Sequence, residues 1–453
     1  MLPSTAYGDS RLSLWQRVRA YAVPPSMIEL ATGRRAAGDW AGACSAARID
    51  TDLDLRSVAR AHGRETAARL RADLRHLAPD LLRWHMPRIA PDGLLRPGLT
   101  LTLARYGGSG RAGPLHLVAR TPPAWSEAGQ RISLALWDPA DAHTGGHPHP
   151  HPNRRYRLDL HRHLWDARRA AELRDRSGAG GPAPPDADPL GLAPPGHGCA
   201  VGRWAAEADL LLAAEGRSAG AFVVRCGGRR RLVLELFPGA DGATPALRRV
   251  PKLPAGGPTA LPALPDAATW IPPDLELLRA GLLAPDRLHP LVAAALAPGH
   301  RPAGPSRALD PVAQARLVEC RGARHRIGLV DGVLVPLDHG PDEIRREELL
   351  AALGGPALPC LRVIDQAHRR PDCLAGVRER LDHGDSAGAL AVVEALLGPD
   401  AVLRDGPLRD ELAAAAERRI AYGLYRAGLA GPGRAPADPY RNRTGHQQRR
   451  HVR

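Results

Sequence analysis

From Gly98 onward the chain alternates Leu99, Leu101 and Leu103 with Thr100, Thr102 and Ala104, the two-residue period of a half-buried strand. Two further strands are expected at 115–120 and 131–137. Ahead of them the period is helical. Helices are expected over 12–21, 25–37 and 40–47, the last capped by Asp39, whose carboxylate accepts from the free amides of the first turn. After the acidic run Asp50, Asp52 and Asp54, one long helical segment is expected to about Trp84, because Val58, Leu70, Leu74, Leu77 and Leu81 fall largely on one side.

Downstream, 205–215 reads as a helix and 221–237 as a hairpin folded at Gly227-Gly228. Residues 238–273 are proline-rich and loop-like, and short helices follow at 274–283 and 287–297. Residues 315–336 form a meander turning at Asp331-Gly332, leading to a helix over 342–353. A short strand at 361–364 then precedes helices over 373–382, 386–397 and 407–429.

The fold class these elements imply is α+β, since helices and strand meanders come in blocks. A helical N-terminal segment (1–97) leads into a small antiparallel region with a histidine-rich loop (98–176). A Pro/Gly linker (177–198) separates it from a mixed region with proline-rich loops (199–311), a β-meander with helical end (312–430) and a disordered basic tail (431–453). In that tail Asp438 is the one acid among Arg434, Arg441, Arg443, Arg449, Arg450 and Arg453. One hexapeptide echoes: Gly-Asp-Trp-Ala-Gly-Ala at 38–43 returns as Gly-Asp-Ser-Ala-Gly-Ala at 384–389, each where one helix turns into the next. The pair resembles single helical hairpins of the tetratricopeptide type, but no fixed period fills the interval, so no solenoid is expected.

Composition changes the weight of the charge. Lys252 is the only lysine among 62 basic residues, and 48 Gly and 45 Pro accompany the arginines, as the codon usage of a GC-rich bacterial genome would give. The net charge of +14 still attracts polyanions at low salt. Six cysteines are scattered without a C-x-x-C, which argues against a disulfide framework and against a thiolate zinc site. The first thirty residues lack the apolar run of a signal peptide, and no window suits a membrane span. The expected location is the cytoplasm, with no membrane partner.

The histidine-rich stretch 141–166 is the one place where chemistry concentrates. His161 and His163, two apart on an expected strand, could hold a divalent metal with Asp159 or Asp166; no other cofactor is expected. The segment 57–77 carries the other signal. Ala59 and Gly63 have helix-turn-helix spacing, but Arg64 and Arg69 stand where that motif buries apolar side chains. As one helix, it would put Arg56, Arg60, Arg64, Arg71 and Arg75 on a common stripe able to lie along phosphates.

The remaining motifs fail on context. Gly108–Gly113 is followed by a strand rather than a helix, which removes a dinucleotide site. Ser218 in Gly-Arg-Ser-Ala-Gly follows a helix and precedes a strand, the reverse of a nucleophile elbow. Asp50, Asp52 and Asp54 lack the glycine and glutamate of a calcium loop. No catalytic residue is singled out, so an enzyme is disfavoured. The leading expectation is a non-catalytic interaction or adaptor protein whose partners are other proteins. A nucleic-acid-associated protein comes second, and a metal-dependent enzyme with a histidine-rich site third.

Overall fold

The computed structural model describes residues 4–107, 113–126, 130–140, 147, 149–181, 186–194, 198–228, 230–237, 245–250, 257, 260–300, 316–330, 333–369, 374–397, 403 and 405–430. The expected basic tail, the Asp331-Gly332 turn, His143 and Cys373 lie outside them. Helices α1 (Ser4–Tyr21), α2 (Pro25–Ala36) and α3 (Trp40–Ala46) lead to strand β1 (Ile49–Asp52), then α4 (Leu55–His62), α5 (Arg64–His76) and α6 (Pro79–His85). Strands β2 (Arg88–Ile89), β3 (Leu94–Leu95), β4 (Thr100–Tyr106), β5 (Leu115–Arg120) and β6 (Ile132–Trp137) follow, then α7 (Leu173–Arg176) and α8 (Val201–Ala214). Next come β7 (Gly220–Arg225), β8 (Arg231–Phe237), β9 (Ala246–Arg249), α9 (Asp266–Thr269), α10 (Pro273–Arg279) and α11 (Pro290–Leu296). The chain continues through β10 (Arg316–Cys320), β11 (Ala323–Val330), β12 (Val333–Pro336), α12 (Pro341–Ala352), α13 (Pro359–Arg369), α14 (Leu374–Asp382), α15 (Ser386–Leu397) and α16 (Pro407–Arg426).

The architecture is α+β, as expected. Proline opens α2, α6, α10, α11, α12, α13 and α16, where its missing amide proton costs nothing and its fixed φ suits a first turn. The main sheet has the order β1-β6-β5-β4. It is antiparallel except that β1, Asp50 and Asp52 included, pairs parallel to β6, so part of the acidic run is an edge strand rather than a helix approach. The expected long helix over 55–84 is three helices. Gly63, at φ 88° and ψ 158°, breaks it once, and the extended backbone at Leu77 and Ala78 breaks it again before Pro79. Residues 361–364, expected as a strand, lie inside α13.

The threonine face of β4 is not solvated. Residues 153–159 run along this edge, with Asn153 N donating to Thr100 O (2.9 Å), Thr102 N to Tyr156 O (3.1 Å) and Asp159 N to Thr102 O (3.0 Å). Thr100 Oγ1 donates to the His149 carbonyl at 2.6 Å. The described part of the histidine-rich stretch therefore closes an edge that would otherwise expose unpaired backbone, and it delivers Arg155, Tyr156 and Leu158 to the site described below.

One core gathers residues 18–173 together with Leu288, Val292 and Ala295 of the returning α11. A second packs Trp204, Leu211 and Leu212 of α8 on Phe222, Val224, Leu234 and Leu236 of the β7-β8-β9 sheet. The C-terminal elements hold two smaller clusters. Among the described residues no helix is long and apolar enough to cross a membrane.

Candidate functional site

Where α1, the α6–β2 connection, the edge segment and the start of α10 meet, they enclose a pocket of about 360 Å³. Its walls are largely apolar, with Trp15, Tyr156, Leu158 and Trp270 among them, yet five arginines border it: Arg11, Arg19, Arg88, Arg96 and Arg155. The charge balance decides which of these are available.

Arg19 is locked. Its guanidinium donates to both carboxylate oxygens of Asp274 at 2.6 and 2.9 Å and to the Trp84 carbonyl at 2.7 Å, and lies over the Trp84 ring at 4.3 Å. Trp84 Nε1 donates to the same carboxylate at 3.0 Å. Arg11 is paired with Glu276 at 2.6 Å, and Arg155 grips Asp266 in bidentate fashion at 2.9 and 2.6 Å.

Arg88 and Arg96 have no carboxylate partner among the described residues. Arg88 donates to the carbonyls of Arg83 (2.9 Å) and Gly93 (3.5 Å), while its buried Nε has no partner. Burial, with Arg19 beside it, pushes its guanidinium down to about 9. Arg96 is exposed at the rim. His85, also at this pocket, is pushed down to about 4 by burial and has Nδ1 against the carbonyls of Leu81 and Leu164 at 3.1 and 3.2 Å. The neutral ring thus keeps its proton on Nδ1. A ligand with an apolar body and an anionic group would meet apolar walls and two uncompensated cations.

No family model, curated protein or solved structure matches the chain.

The residues singled out in the sequence lie elsewhere. Arg56 and Arg60 are on α4, and Arg64, Arg71 and Arg75 on α5; all five are exposed, and none pairs with a carboxylate among the described residues. The break at Gly63 divides the expected single stripe between two helices, which gives the helix–glycine–helix order of the alternative spacing, with Arg64 and Arg69 exposed.

His161, His163 and Asp159 do not converge on a metal position. They lie on no strand, and His163 falls in a 3₁₀ turn over Arg162–Leu164. Asp159 is gripped by Arg157 at 2.9 and 2.8 Å. Both ring nitrogens of His161 face oxygens, Nδ1 the Arg157 carbonyl (3.1 Å) and Nε2 Glu207 (3.1 Å). Burial opposes the charge of Glu207, but the neighbouring His161 and the hydrogen bonds from Arg176 outweigh it and hold the carboxyl down at about 2. This is a buried charge network joining α8 to the first core.

Other candidate chemistry is consumed in the same way. The buried pair Asp80–His289 (2.9 Å) has the look of an acid–base dyad, but His289 Nδ1 accepts from Leu291 N at 3.2 Å as the cap of α11. Ser218 is exposed and hydrogen-bonds to no base among the described residues. A second basic cleft, of about 700 Å³, lies between β1 and α15–α16. There Arg131 and Tyr422 bind Asp50, Arg48 binds Asp385 and Arg426 binds Asp52, so Tyr422, Arg48 and Arg426 fasten the C-terminal helices to the sheet, while Arg419 lines the cleft without an ion pair among the described residues.

Sequence reasoning passed over Arg88 and Arg96 because 61 arginines hide two; only the fold shows which lack a carboxylate partner. It also passed over the one group of metal-ligating side chains that the described residues bring together, Cys320, His339 and Cys360.

Proposed function

We propose that this chain is a non-catalytic binding protein of the bacterial cytoplasm, an adaptor whose central pocket receives an anionic group carried on an apolar stem. The observation that carries this is that Arg88 and Arg96 have no carboxylate partner among the described residues, at an apolar pocket whose other arginines are neutralised. A buried cation without a counter-charge is costly, and a carboxylate or phosphate relieves it with charge-assisted hydrogen bonds. The acid–base pairs described above are engaged in capping and charge networks, which supports binding rather than turnover.

Calorimetric titration tests this with two probes, phenyl phosphate as a free ligand and an acetylated Asp-Leu-Trp peptide as a partner-borne segment. Binding of either should weaken about 10- to 100-fold in Arg96→Ala, the loss of one charged hydrogen bond of roughly 1.5–3 kcal/mol, and stay unchanged in Arg419→Ala at the other cleft. Equal affinity in Arg96→Ala and wild type, or binding of neither probe, would remove the reading.

The five exposed arginines of α4 and α5 favour a second reading, association with nucleic acid. The slope of log affinity on log salt for duplex DNA should then flatten by about 0.9 for each phosphate that is no longer neutralised once they are replaced with alanine. An unchanged slope would assign their charge to genome composition.

A further inference from the structure

The β10-β11-β12 meander and α13 enclose a small core whose buried members among the described residues are Cys320, Ile327, Leu358, Cys360 and Ile364. Cys320 is the last residue of β10, next to the tight turn at Arg321 and Gly322, which take φ values of 53° and 79°. Cys360 stands in the first turn of α13, and His339 in the turn between β12 and α12. Two strand ends and a helix start thus meet at one point. Their sulfur and imidazole donor atoms all lie within 4.8 Å of one another.

Both cysteines are fully buried, and the His339 side chain is 3% exposed. His339 Nδ1 faces Glu343 Oε2 at 3.2 Å, while its Nε2 is buried with no partner. Arg321 in turn holds Glu343 at 2.9 Å. His325 stacks on His339, ring centroids 4.3 Å apart and planes 12° from parallel.

We propose that Cys320, His339 and Cys360 are ligands of one zinc ion that staples this C-terminal module. Three features converge on it. A buried ring nitrogen without a partner costs about 1–3 kcal/mol, and a metal supplies what Nε2 lacks. A carboxylate on the opposite ring nitrogen is the arrangement that orients a zinc-bound imidazole and raises its basicity. Thiolate and imidazole donors select zinc over magnesium or calcium.

Two thiols and one imidazole bind Zn²⁺ with release of two protons to solvent, leaving a neutral centre suited to burial. A disulfide between Cys320 and Cys360 would leave Nε2 unsatisfied, so it explains less. Three protein donors leave the fourth tetrahedral position for water.

The test uses the full chain, purified under reducing conditions without a histidine tag, its zinc measured and then exchanged for cobalt. One zinc per chain should survive dialysis, and the cobalt form should show a thiolate-to-metal charge-transfer band in the near ultraviolet. Imidazoles of the His-Pro stretch cannot produce that band. Cys320→Ser and Cys360→Ser should each abolish it, Cys199→Ser should leave it intact, and Glu343→Gln should weaken zinc binding about 10- to 100-fold. Absence of the band in reduced wild-type protein, whatever the behaviour of the variants, would overturn the site; so would its persistence in the Cys320→Ser, Cys360→Ser double variant.

Discussion

Asp274 shows what a single residue carries here. It is 1% exposed, accepts from Arg19 and from Trp84 Nε1, and so ties α10 to α1 and α6. Replacing it with Asn keeps the shape but leaves the Arg19 cation buried without its counter-charge. Such a one-sided loss costs about 3–5 kcal/mol. Urea denaturation of Asp274→Asn should show that loss, and a change below about 1 kcal/mol would mean that Arg19 finds another partner. The sequence could not reveal this pair: the two residues are 255 apart, and nothing distinguishes Arg19 from its many fellow arginines. For the same reason Arg88 and Arg96, without a carboxylate partner among the described residues, were illegible, because partnering is a property of the fold.

Among elements, those with strong local signals were readable. The alternation at 99–104, the helices expected over 25–37 and 342–353 and the hairpin at Gly227-Gly228 all correspond to observed elements. The failures share a cause. Residues 49–52 are a strand because β6 offers a parallel edge, and 361–364 are helical because Pro359 starts a helix there, so tertiary pairing and capping overrode short local patterns. The repeated hexapeptide was legible in form, since each copy places Gly at positive φ (77° and 82°) and Asp as cap of the glycine three residues on, at 2.8 and 3.2 Å. A Cβ on either Gly42 or Gly388 would stand about 2 Å from that aspartate. Even the stabilising arginine recurs, five residues before each aspartate. Their energies should differ. Asp39→Ala should cost about 1 kcal/mol, the value of a cap, whereas Asp385→Ala should cost more, because Arg48 at 3.1 Å is left without its partner as well. Equal losses by thermal denaturation would show that the Arg48 ion pair contributes nothing.

At the scale of the molecule, the ion pairs Arg17–Glu379, Arg48–Asp385 and Arg426–Asp52 attach the C-terminal helices to the first core, and His383 lies buried at this joint. That ring is fully buried and stacks on Tyr21, with Arg17, Arg48, Arg83 and Arg88 around it and Glu379 3.9 Å away. Burial, reinforced by those arginines, pushes it down to about 3. Its folded value lies below its unfolded one, so the stability it contributes is complete above about pH 6.5. That stability is lost as pH falls towards 3, at roughly 1.4 kcal/mol per pH unit. Denaturation between pH 7.5 and 5 should therefore be less pH-dependent by one proton in His383→Leu; parallel curves would count against the assignment. The hexapeptide turn occurs both within the first core and at this joint, and only its third residue differs in character: Trp40 packs on the core, whereas Ser386 lines the open cleft. The turn is thus an interchangeable part with an address label. Exchanging the two hexapeptides should preserve both bends while sending an indole into solvent-filled space and a hydroxyl into the core, so that placement changes and local shape does not.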